Sequence, residues 1–150
     1  MNSIQIMYPM LALVAWTFLV LLMIPYQRVK AVRSQQINAD DFKLGESDNV
    51  PAQVSIPNRN YMNLLELPVL FYVVCIVLYL FSGLSPVTLG LAWVYVVLRI
   101  MHSLVHLTYN NVLHRLFFFA TSNVVLSVIW IFFFLVVQEA GDLGLDSLPR

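Results

Sequence analysis

Residues 67–98 form a run of 32 positions without one charged side chain. An apolar stretch of this kind reads as membrane-crossing helix, because about 20 residues at ~1.5 Å each pass a hydrocarbon core about 30 Å thick. The run is too long for one crossing and too short for a soluble linker between two. The sequence SGLSP at 82–86 divides it, with a glycine for the turn and a proline suited to the first turn of the next helix. Two spans therefore meet in a tight hairpin. The rest of the chain follows the same pattern. With 60% apolar and 11% charged residues and a mean hydropathy of +0.80, it lies far from soluble domains. Spans are expected at about 4–26, 60–82, 86–108 and 114–138. The fold class is all-α, an integral membrane four-helix bundle forming one domain over 1–150, with the lipid bilayer as its surroundings.

No basic residue precedes the first span and no small-residue cleavage site follows it, so it is read as a retained helix and not a signal peptide. Arg28, Lys30, Arg33, Lys43 and Arg59 lie between the first and second spans, and Arg115 between the third and fourth. Lys and Arg accumulate on the cytoplasmic side, which places both connections there. The N-terminus, the 82–86 turn and the acidic residues Glu139, Asp142 and Asp146 then face the other side. The 28–58 segment mixes both charge signs with Asn, Ser, Gly and Pro and reads as a solvated cytoplasmic loop, its start an extension of the first helix. Net charge is zero and the basic residues are scattered, which excludes a nucleic-acid surface. Cys75 has no partner for an intrachain disulfide and reads as a small buried hydrophobe. Trp16, Trp93 and Trp130 read as packing or lipid-facing residues.

The polar residues inside the spans carry the functional information. In RNYMNLLELP, residues 59–68, the side chains Arg59, Asn63 and Glu66 recur at i, i+4, i+7 and share one helix face. Arg99, His102, His106 and Tyr109 do the same on the third span, at i, i+3, i+7, i+10. At ~1.5 Å per residue, Glu66 lies ~9 Å and Arg99 ~14 Å inside the cytoplasmic ends of their helices. A charge at the centre of a membrane helix costs ~2.5–3.5 kcal/mol even on lenient insertion scales, so both should face protein, water or each other. A Glu–Arg pair can exist only to fix helix register. Here His102, His106, Tyr109, Asn63, Asn110, Arg59 and Arg115 crowd the same half, more than a register lock needs. The pattern points to a cationic pocket for an anionic, peptide-like ligand, since guanidinium groups take carboxylates bidentately while Asn and Glu meet amides and ammonium groups.

At these residues the chain resembles the membrane-associated proteins in eicosanoid and glutathione metabolism, the MAPEG family. The resemblance rests on Arg-x-x-x-Asn-x-x-Glu at Arg59, Asn63 and Glu66, followed by Pro68, on Arg99 within the third span, and on Arg115 at the start of the fourth. It covers essentially the whole chain and is nearest to bacterial members of uncharacterised activity, which implies the inner membrane. It also implies a homotrimer that binds glutathione, as co-substrate, between subunits in the cytoplasmic half of the bilayer. Arg59, Asn63, Glu66, Arg99 and His102 would hold the tripeptide, and Arg115 would sit near the thiol. The activity implied is glutathione transfer or peroxidase chemistry on a lipophilic small molecule. One departure stands out: where eicosanoid-synthesising relatives often carry a tyrosine seven residues after the third-span arginine, this chain has His106, with Tyr109 nearly a turn later. His106 and Tyr109 are thus further candidates for the chemistry.

Other readings of the same residues exist. Glu66 in a small four-helix protein also suits a proton-coupled exporter, although a neighbouring arginine would hold it ionised. Some family members bind lipid without catalysis. His102 and His106 at i, i+4 could take zinc, but no glutamate follows His102 as in a metalloprotease motif and the adjacent arginine repels a cation, so no metal is assigned.

Overall fold

The computed structural model describes residues 2–142, apart from 36, 44 and 48; Asp146 of the acidic tail lies outside them. A short 3-10 turn, Ser3–Ile6, leads into α1, Met7–Arg33. Then follow α2, Ala52–Leu65; α3, Pro68–Leu80; α4, Pro86–Leu107; and α5, Val112–Asp142. Counting α2 and α3 as one interrupted crossing, four helical segments are long and apolar enough to span a membrane, and no strand occurs among the described residues.

Two boundaries differ from the sequence expectation, because helix continues past the apolar run at each. Arg28, Lys30 and Arg33 end the apolar run but not the helix, since cations suit the last turn of a helix, where backbone carbonyls are unpaired. Likewise α2 starts at Ala52, well before the apolar run does. The connection is therefore shorter than 28–58. Within it Asp41 accepts from the backbone N–H of Asn38 and the hydroxyl of Ser47, both at 2.9 Å, and these bonds hold its carboxyl below its ordinary pKa. Arg28 ties this loop back to α1 through Glu46 at 3.2 Å and lies 4.7 Å from the centre of the Phe42 ring.

The break between α2 and α3 matters most for the site. Pro68 has no N–H to offer the carbonyl of Leu64, so the i to i−4 ladder stops. Tighter bonds replace it, from Val69 N–H to Glu66 O at 3.2 Å and from Leu70 N–H to Leu67 O at 3.0 Å. Glu66 absorbs the change at φ −81°, ψ −100°, outside any helix.

Small apolar layers pack the interior, with the rings of Phe71 on α3 and Tyr95 on α4 stacked 4.4 Å apart. The 82–86 connection is short, with Ser85 capping α4 by accepting from Thr88 N–H, yet α4 packs most extensively on α5 and not on α3. The tight hairpin is thus a tight turn between splayed helices. A polar knot joins α1, α2 and α4: Ser103 Oγ accepts from Trp16 Nε1 at 2.9 Å and from Asn60 Nδ2 at 2.6 Å. Trp16 is therefore more than a packing residue, and Asn60 is fully buried. In hydrocarbon such bonds bind helices together because water offers no alternative partner.

Candidate functional site

The loop end of the bundle holds a cavity of about 240 Å3 lined by Ala52, Ile56, Arg59, Asn63, His106, Asn110 and Arg115. Three elements build it. On α2, positions 52, 56, 59 and 63 follow one helix face. On α4, His106 occupies the last turn. The link between α4 and α5, with the first turn of α5 that it leads into, supplies Asn110 and Arg115. Asn110 closes the end of α4 by donating its N–H to Val105 O at 2.8 Å, in a left-handed conformation at φ +49° that asparagine tolerates. Asn111 starts α5 by accepting from the N–H groups of Leu113 and His114 at 3.0 and 3.1 Å.

Arg115 is held from two sides. Its Nη1 donates to Asn110 Oδ1 at 2.8 Å, and its backbone carbonyl accepts from His102 Nδ1 at 3.0 Å. That second bond fixes the His102 tautomer, because a carbonyl can only accept. Arg115 Nε, His106 Nδ1 and His102 Nε2 are buried without a partner. Two guanidinium groups, two amides and an imidazole thus surround the cavity, and no carboxylate lines it. Such a lining receives anions and sets one imidazole, that of His106, beside them. Larger hollows lie along the end of α1, away from these groups.

Of the residues singled out from the sequence, Arg59, Asn63, His106, Asn110 and Arg115 converge on the cavity. The other four stand apart from it. Glu66 leaves the Arg59–Asn63 face because the helix ends before it, and its side chain is exposed. Arg99 is not paired with Glu66: it is 1% exposed, donates through Nε to Tyr95 Oη at 3.1 Å and through Nη2 to Asn123 Oδ1, and lies 5.1 Å from the Phe119 ring centre. Neutral groups hold this guanidinium in place of a carboxylate. His102 is committed to the Arg115 backbone. Tyr109 is exposed, bonded to His114 at 2.9 Å, and does not line the cavity. Among the described residues no third His, Cys, Asp or Glu joins His102 and His106 in a metal-binding group.

Asn60 and Ser103 are the positions that sequence reading passed over. Asn123 was legible as a group able to bridge helices, but its partner depends on how α4 and α5 pack.

A model of the MAPEG family matches residues 6–135. No curated protein and no solved structure gives a significant match.

Proposed function

The chain belongs to the MAPEG family of membrane proteins, which includes glutathione transferases and peroxidases, and from that premise we propose that it binds glutathione in the cavity between α2, α4 and the start of α5. The observation that carries this reading is the lining itself, two guanidinium groups with amides and an imidazole and no carboxylate. Arg59 and Asn63 suit the carboxylates and amide groups of the tripeptide. Arg115 suits the thiol. A thiol of pKa ~8.5 is a few per cent ionised at pH 7, and lowering that value by ~2 units takes ~2.7 kcal/mol of preferential thiolate stabilisation, within reach of a partly desolvated guanidinium. An arginine cannot receive the proton that leaves; His106 can. The S–H bond breaks and its proton passes to His106; the sulfur lone pair then forms a C–S bond with a lipophilic electrophile that reaches the site from the bilayer, as an activated C=C bond opens and its far carbon takes the proton back from His106, or as a leaving group departs with its bonding electrons.

At about 240 Å3 the cavity is smaller than the ~300–1,000 Å3 typical of small-molecule sites. A neighbouring subunit would enlarge it and bring the exposed Glu66 within reach of the ligand's ammonium group. We therefore place the site at the boundaries of a homotrimer, with the loop end in the cytoplasm of a bacterial inner membrane and both termini opposite, as the distribution of Lys and Arg directs. Native mass spectrometry in mild detergent should give three copies; a stable monomer that binds glutathione equally well rules out the interfacial site.

Arg59→Gln removes a charge from the cavity rim without shortening the side chain greatly. It should weaken glutathione binding by about tenfold, the worth of roughly one charge-assisted hydrogen bond, measured by calorimetric titration. Unchanged affinity takes Arg59 out of the site. The family match and the carboxylate-free lining both favour glutathione over proton-coupled export, which would need Glu66 in a titrating pocket.

A further inference from the structure

We propose that Lys30 and Arg33 hold the phosphate of an anionic phospholipid headgroup whose acyl chain lies along α1. Tyr8, Leu11, Leu19, Leu22 and Tyr26 are exposed and form one continuous stripe on that helix. From residue 8 to residue 26 the stripe rises about 27 Å, close to the thickness of the hydrocarbon core. Tyr26 ends it, where an aromatic hydroxyl belongs at the membrane boundary. One turn further on, a hollow of about 680 Å3 is lined by Pro25, Tyr26, Val29, Lys30, Arg33 and Ser34. A second, of about 450 Å3, opens on the other side of Lys30 and Ser34. Apolar groups thus line the lower rim and two cations and a hydroxyl the upper one, the order in which a phospholipid presents its chain and its phosphate.

The charges differ in their partners. Arg28 shares a smaller hollow with Val29, Arg33 and Phe42 and is neutralised by Glu46, the only ion pair among the described residues. Lys30 and Arg33 have no described carboxylate partner. Cations in a last helical turn also complement the helix dipole and direct topology, but neither role calls for a hollow continuous with the lipid-facing stripe. A second copy of the chain fits this face poorly. Close helix contacts in membranes favour small residues, whereas Phe18, Leu19, Leu22 and Tyr26 are bulky, and a like face would set cation against cation. The inference is independent of the glutathione cavity, since the two share no lining residue.

The test uses the full chain in mild detergent, with phosphatidylglycerol and phosphatidylcholine of identical acyl chains added in turn and retained lipid counted by native mass spectrometry. Phosphatidylglycerol should be retained in preference. Lys30→Gln and Arg33→Gln should each lower that preference about fivefold, the effect of one basic residue near an anionic lipid surface. Lys43→Gln, a charge lost from the same end outside the hollow, should leave it unchanged. Val29→Trp, which fills the hollow and keeps both charges, should lower it as well. Equal retention of the two lipids overturns the proposal, as does an equal effect of Lys43→Gln. A Lys30→Gln variant that changes the number of subunits while keeping the lipid preference overturns it too, and identifies the face as a protein contact.

Discussion

Replacing Arg115 with alanine should lower turnover of a model electrophile by about 10–100-fold, or ~1.4–2.7 kcal/mol, while glutathione affinity changes little. The split follows from the geometry. Arg115 sits at the cavity wall opposite the α2 residues that would anchor the tripeptide, and its side chain is braced by Asn110 and its backbone by His102. A guanidinium so fixed meets a negative sulfur without reorganising, which stabilises the reacting thiolate more than the bound thiol. The ultraviolet absorbance of bound thiolate near neutral pH should fall with turnover. The competing explanation is that Arg115 serves only as a basic residue at a cytoplasmic helix boundary. In that case the alanine variant inserts poorly but each correctly folded molecule turns over normally. Rate per folded molecule separates the two, and an unchanged rate moves thiol activation to His106.

Asn123→Leu should destabilise the protein by about 1.5–3 kcal/mol, the worth of a hydrogen bond to a charged group. The substitution keeps the shape of the side chain but leaves the buried Arg99 guanidinium without the acceptor on α5. Arg99→Leu/Asn123→Leu should then be more stable than Asn123→Leu alone, because the stranded charge is gone. Thermal unfolding in detergent measures all three variants. Losses that add strictly would show that Asn123 does not compensate Arg99. The same series with Glu66→Gln should be additive within one subunit, since Glu66 and Arg99 do not touch in the chain.

Much of this fold can be read from sequence because hydropathy is a local property. The uncharged run and its SGLSP interruption define two crossings without reference to any partner, and the basic residues mark one end of the bundle. The convergence of Arg59, Asn63, His106 and Arg115 is also legible, since helical spacing and a shared end bring them to one depth. Glu66 shows where such reasoning stops. Helical spacing carries it onto the face of Arg59 and Asn63, but a proline in a membrane helix can either bend the helix or end it, and here the chain leaves the helix one residue too early. Arg99 illustrates a different gap. A membrane charge implies a partner, and a carboxylate was the obvious choice; in its place the packing of α4 on α5 supplies the Asn123 amide and the Phe119 face, and Tyr95, one turn earlier on α4, supplies a phenol and a second aromatic face. Helix ends at Arg33 and Ala52 are hidden for a third reason, since mixed-charge segments lack the apolar periodicity that reveals helices inside the membrane.

The central claim is that the loop-end cavity is a glutathione site. Equilibrium binding of glutathione to the purified, detergent-solubilised protein tests it most directly. Saturable binding that is weakened by Arg59→Gln and accompanied by a rise in thiolate absorbance is the predicted result. No saturable binding, or in its place a pH-dependent affinity for lipophilic cations, would contradict it.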